Sequence, residues 1–229
     1  MNYSQGNWNK LYNIGGSAAI GSILLIPIQV VIFITWPPPT AITDWFTLFQ
    51  ENWLLGLLSL DLLYILNNTL ILIVYLALYV VLKRANETLM AISFLVGIVG
   101  ATIYYSSNTG FEMLALSNQY AVATTEALKA MLMASGQTMM TIYTGTAFNV
   151  YYVLNGIALF IIAIVMLQSK IFGKGTAYWG LFAAILMSIP STAGTLGLIF
   201  SLASLIPWIV FCILTARKLF QLGKGQDLL

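Results

Sequence analysis

The sequence predicts an all-α fold, a six-span transmembrane helix bundle with an extracytoplasmic helical cap. Three observations carry that expectation. Of the 229 residues, 60% are hydrophobic and 7% are charged, against roughly 25% charged in a soluble domain. A soluble globular fold is therefore excluded. Apolar runs of about the 20 residues that cross a ~30 Å hydrocarbon layer recur along the chain. The basic residues sort almost wholly to one side of the membrane if those runs number six. No composition shift divides the chain, so residues 1–229 read as a single integral membrane domain.

The first span is read at residues 13–36. It is too long for a signal peptide and no small-residue cleavage site follows it. Pro37-Pro38-Pro39 cannot extend the helix and ends it. Beyond the prolines, Trp45, Phe46, Leu48, Phe49, Trp53 and Leu54 recur at helical spacing among polar residues. That pattern predicts a short helix lying in the membrane interface. The second and third spans are read at 53–82 and 88–107. Residues 108–145 then form a segment too apolar for a free loop. Leu128, Met131, Leu132, Ser135, Met139 and Ile142 share one helical face, opposite Glu126 and Lys129. Thr124-Thr125 followed by a glutamate signals a helix start. This segment is the expected cap, folded back over the bundle. Spans four to six are read at 146–167, 176–190 and 195–216, the fifth being short. Pro27, Pro190 and Pro207 predict kinks or helix ends.

Orientation follows from the loops. Lys10, Lys83, Arg84, Lys170, Lys174, Arg217, Lys218 and Lys224 fall on one side, and Lys129 alone falls on the other. Both termini are therefore expected in the cytoplasm. The acidic residues complement this. Asp44, Glu51, Asp61, Glu112 and Glu126 lie on or near the outer side, with Glu87 and Asp227 inside. Glycosylation triplets at Asn2, Asn67 and Asn86 fall inside or within the membrane and are discounted.

The chemistry-bearing residues gather on three spans. In the second, Asp61, Tyr64, Asn68, Tyr75 and Tyr79 make one polar-aromatic stripe at about 100° per residue. Lipid does not tolerate a carboxylate and an amide, so the stripe should face the bundle. Tyr105, Asn108 and Glu112 share a face at the end of the third span. Asn149 and Tyr152 share one in the fourth, beside a second pair, Tyr151 and Asn155. Counting about 20 residues from each inner end puts Asp61, Asn108, Glu112 and Asn149 at one level, the outer boundary. The candidate ligand-binding set is thus Asp61, Tyr64, Asn68, Tyr105, Asn108, Glu112, Asn149 and Tyr152. The plainer reading is interhelical hydrogen-bonding glue.

The same set permits three functions. The first is binding or transport of a small, partly apolar ligand from the outer side. The second is a membrane enzyme acting on lipid, with Asp61 and Glu112 as acid and base. The third is a structural or interaction subunit. Most intramembrane chemistries are excluded by composition. There is no histidine for a triad, zinc or haem site, one cysteine (Cys212), and no mid-span lysine or Gly-rich nucleotide loop. No catalytic residue, metal ligand or cofactor is expected, and the near-neutral net charge of +2 gives no case for nucleic acid. Five of nine methionines lie between Met113 and Met140, which suits adaptable apolar packing better than soft-metal binding. Ser17/Gly21 and Gly197/Ser201 suit close helix contact, within the chain or across a homodimer.

Several strings carry a resemblance. They are Trp8-Asn9-Lys10-Leu11-Tyr12, Ile34-Thr35-Trp36-Pro37-Pro38-Pro39, Asp44-Trp45-Phe46 and Asn52-Trp53-Leu54-Leu55-Gly56-Leu57. Further on come Ser107-Asn108-Thr109, Phe111-Glu112-Met113, Gly145-Thr146-Ala147-Phe148-Asn149 and Pro190-Ser191-Thr192-Ala193-Gly194-Thr195. Over nearly its whole length the chain resembles a family of small bacterial multi-pass membrane proteins catalogued as domain of unknown function 4386. The resemblance implies a six-span protein of the bacterial inner (plasma) membrane and no particular reaction. The partners expected are the lipid bilayer and, within it, a small apolar ligand or a lipid.

Overall fold

The structure is a computed structural model that describes residues 8–225. The Asn2 triplet and Asp227 lie outside the described residues. Ten α-helices and no strands are present among the described residues. They are α1 (Trp8–Thr35), α2 (Ile42–Glu51), α3 (Trp53–Leu60), α4 (Leu62–Leu82), α5 (Glu87–Tyr105), α6 (Gly110–Val122), α7 (Glu126–Tyr143), α8 (Thr146–Gln168), α9 (Lys174–Leu186) and α10 (Gly194–Gly223).

Six of these form a closed ring in chain order. α1 packs on α4, α4 on α5, α5 on α8, α8 on α9, α9 on α10, and α10 closes on α1. The joints are antiparallel. Near the start of α1, Gly15 lies against Ala77 of α4 and Leu219 of α10, and Gly16 lies under the Phe220 ring. A β-carbon at Gly16 would sit 2.8 Å from that ring, so only glycine allows this approach. The ring therefore brings the start of α1, the end of α4 and the end of α10 to one end of the bundle. Eight of the nine basic residues gather at that end, with only Lys129 at the other. The core between the helices is apolar, with Val74, Tyr75, Leu78, Leu159 and Phe211 among its buried residues.

A second core sits at the opposite end, built from α2, α3, α6 and α7. Ile42, Trp45, Phe46, Phe49, Leu57, Leu60 and Met113 are buried in it. Here the structure departs from the expectation for residues 45–54. The rings of α2 do not face outward. Trp45, Phe46 and Phe49 are covered, chiefly by α6, which is fastened by Ser117 Oγ donating to the Phe46 carbonyl at 2.8 Å. Only Trp53 and Leu54 remain exposed. The buried face of α7 also differs. Leu132 and Gly136 are buried, with Met133, Met139, Met140 and Tyr143 packed alongside, whereas Leu128, Met131 and Ile142 are exposed. Gly136 faces Ile42 and Phe46, so α7 turns toward α2 and not only toward the bundle. Its predicted start is present: Thr125 Oγ1 caps the Leu128 N–H and Lys129 pairs with Glu126 at 3.2 Å.

The predicted second span is divided. Asp61 interrupts the helix for one residue, and the eight residues of α3 belong to the second core. Among the described residues, five stretches are long and apolar enough to cross a membrane. α9 is not one of them, because its 13 residues rise only about 20 Å. It nonetheless carries the chain along the bundle. Gly156 in α8 lies against the Ala184 and Met187 carbonyls, and beyond them Thr192 bonds Asn149 near the start of α8.

Candidate functional site

Where the ring meets the second core, polar and aromatic side chains are buried together. Asp61 holds the centre, and it is there because α3 ends on it and α4 begins after it. Its side chain is 1% exposed. One carboxylate oxygen, Oδ2, accepts from the Gly110 N–H at the start of α6. Gly110 has to be glycine here, since a β-carbon would lie 2.6 Å from that oxygen. The other oxygen, Oδ1, is buried without any hydrogen bond. Burial pushes the carboxyl up to about 6, against the opposing pull of the Gly110 and Thr109 N–H groups and with a smaller push from Glu112.

Around it stands a group of rings. Tyr104 packs edge-on against Tyr64 at 6.3 Å and lies tilted on Tyr151 at 4.6 Å. Phe148 lies 6.0 Å from Tyr104 and 5.0 Å from Tyr152. Tyr143, at the end of α7, donates to the Leu60 carbonyl at 2.8 Å, next to Asp61. Tyr151 donates to Asn68 Oδ1 at 2.5 Å. The Tyr104 hydroxyl is buried with no hydrogen bond. Two orphaned polar atoms, one an acceptor and one a donor, thus share a single aromatic setting. Native structures keep few such atoms, and each calls for an explanation.

Of the expected residues, Asp61, Tyr64 and Asn68 do meet here. Tyr152 joins the group through Phe148 and edge-on against Tyr151 at 5.9 Å, and its hydroxyl bonds Ser201 of α10 at 3.0 Å. Asn108 is close in sequence but turns back to donate to the Tyr104 carbonyl at 3.3 Å. Tyr105 points away and bonds the exposed Thr69 at 3.0 Å. Asn149 bonds the Gly145 carbonyl at 2.8 Å and Thr192. Glu112 is exposed while Asp61 is buried, so the two carboxyls do not share an enclosed pocket. Among the described residues no cluster of three or more His, Cys, Asp and Glu is placed to hold a metal.

Sequence reasoning missed Tyr104, Tyr143 and Gly110. In the sequence the face starting at Tyr105 stands out because Asn108 and Glu112 continue it at +3 and +4. One residue earlier, Tyr104 begins a face 100° away whose +3 and +4 residues, Ser107 and Asn108, bond back to the Tyr104 carbonyl and not to its ring hydroxyl. Its partners come from α4, α7 and α8, which spacing within one helix does not report.

A family model described as Domain of unknown function (DUF4386) matches residues 11–220 of this chain. No curated protein and no solved structure matches it.

Proposed function

The chain belongs to the DUF4386 family, and from that premise we propose that it is a six-span membrane protein that binds or moves a small, partly apolar ligand carrying a cationic group, at the Asp61 cluster. In this reading the basic end of the ring is cytoplasmic, α9 with residues 187–193 is the sixth span, and the second core lies on the outer side. The antiparallel ring supports it, since an even number of traversals returns both ends of the bundle to one side. The gathering of Lys and Arg at that end supports the direction.

One observation carries the ligand: Asp61 Oδ1 is buried and unpartnered among aromatic rings. With its carboxyl raised to about 6, Asp61 is mostly ionised at neutral pH. A buried, half-satisfied carboxylate is costly unless a cation meets it. The Tyr and Phe faces attract cations too, and the free Tyr104 hydroxyl can donate to a polar atom of the same ligand. Asp61 and Tyr104 are each 1% exposed, so a ligand reaches them only when the second core shifts on the ring.

A second reading has its own support. The Asp61–Gly110, Tyr143–Leu60 and Thr109–Met139 bonds all fasten parts of the second core and its connection to the ring. On that reading the cluster is a latch and binds nothing. Thermal unfolding of the purified protein with tetramethylammonium, and with tert-butanol as a neutral probe of similar size, separates the two. The ligand reading expects a rise in Tm with the cation alone, larger at pH 7.5 than at pH 5 and lost in Asp61→Asn. Equal shifts from both probes, or no shift at either pH, leave the latch.

A further inference from the structure

At the other end of the bundle a groove of about 380 Å³ opens between α1 and α10. It is lined by Ile20 of α1 and by Ile213, Ala216, Arg217, Phe220, Gln221 and Lys224 of α10. The volume falls in the range of small-molecule sites. The α10 positions follow helical spacing of three, four and seven, so they form one stripe down the helix. Ile213 and Ala216 supply an apolar wall toward the middle of the bundle. Beyond them Arg217, Gln221 and Lys224 supply donors, with the Phe220 ring between Arg217 and the other two. Phe220 is held at the groove by resting on Gly16, where α1 has no side chain.

We propose that this groove is a binding site for an anionic phospholipid. Among the described residues its two cations face no acidic residue in the lining, and the salt bridge found there, Lys129–Glu126, lies at the opposite end. The groove opens at the end that gathers eight of the nine basic residues, where the bundle meets a headgroup layer. Basic pockets between membrane helices at such a level suit phosphate headgroups. Arginine suits a phosphate further, because its planar fork donates two parallel hydrogen bonds. A free phosphate would use only the polar half of the lining. The apolar half, with Ile20 and Ile213, fits an acyl chain running into the bilayer alongside. The chemical order of the groove is therefore that of a phospholipid set upright in its leaflet. This site rests on membrane embedding alone and not on the Asp61 reading.

Delipidated full-length protein in a neutral detergent, titrated with phosphatidylglycerol or phosphatidylcholine and read by native mass spectrometry, tests it. Phosphatidylglycerol should bind at least about tenfold more tightly than phosphatidylcholine. The double variant Arg217→Gln, Lys224→Gln should lose that preference. Arg217→Lys with Lys224→Arg, which keeps both charges, should retain most of it. Lys174→Gln, a cation at the same end but outside the groove, and Asp61→Asn should both leave it intact. Equal affinity for the two lipids in the unaltered protein overturns the proposal, even if the double variant fails to fold. So does an equal loss in Lys174→Gln, which would make the preference one of general surface charge. Competition by inorganic phosphate as effective as that by phosphatidylglycerol would show that the acyl half plays no part, and the lipid assignment falls.

Discussion

At the scale of single residues, Asp61 sets the clearest expectations. Its carboxyl sits at about 6 in the folded protein, above its ordinary value of 3.8. Between those values the folded state holds more protons than the unfolded one. Stability should therefore be greatest below about pH 4, fall as pH rises through about 6, and level off above it. Asp61→Asn keeps an acceptor for the Gly110 N–H and removes the buried charge. It should flatten that fall and raise stability at neutral pH by on the order of 2 kcal/mol, seen in melting curves from pH 4 to pH 8. A variant that keeps the full pH slope would place the titration elsewhere. The tyrosines give a matched pair. The Tyr104 hydroxyl has no partner, so Tyr104→Phe should be neutral or slightly stabilising, within about 1 kcal/mol. Tyr151→Phe strips the donor from the buried Asn68 and should cost about 1–3 kcal/mol. Equal losses in the two would mean that Tyr104 has a bonding partner after all.

At the scale of elements, the joint between α1 and α10 closes the ring. It depends on Gly15 and Gly16, where neighbouring side chains occupy the space a β-carbon would need. Gly16→Val should push Phe220 aside and cost about 1–3 kcal/mol, the usual range for overpacking. Ser17→Val, one residue on and exposed, should cost little. Detergent-melting of the two variants checks this, and a loss in Ser17→Val as large would mean that face is covered. The other small-residue pairs foreseen for close contact divide. Gly21 lies against Leu70 of α4, Gly197 is buried against Pro190, and Ser201 bonds Tyr152, all inside one chain. Ser17 alone faces outward.

At the scale of the whole molecule, topology is the open arithmetic. Six traversals require residue 134 and residue 173 to lie on opposite sides. Cys212 is the sole cysteine and is fully buried, so the chain offers a quiet background for labelling. An Ala134→Cys variant should react with a membrane-impermeant maleimide in intact cells. A Gly173→Cys variant should react only after the membrane is opened. Reaction of both from the same side would remove α8 as a span. The sixth traversal is read beyond α9: an Ala193→Cys variant should react in intact cells, as residue 134 does. Reaction only after the membrane is opened, as at residue 173, would remove α9 as a span, because its 13 residues would then turn back short of the far boundary.

What the sequence determined by itself is what composition and local periodicity can encode. Apolar runs, triple proline and a Thr-Thr-Glu start mark where helices lie, because each is a local preference of the chain. The inward turn of Asp61, Asn68 and Tyr75 was legible as well, since lipid penalises the polar members of that stripe wherever they stand. Which faces meet was not legible. Trp45, Phe46 and Phe49 look the same in sequence whether they meet lipid or α6, and the tertiary structure alone covers them. The choice of Tyr104 over Tyr105 is likewise a matter of 100° of rotation on α5, fixed by packing against α8. Gly110 at Asp61 joins residues 49 positions apart, and only the folded chain brings a carboxylate and an N–H across that separation. Local physics placed the helices. Long-range packing, acting through side-chain shape, decided which of their residues share a site.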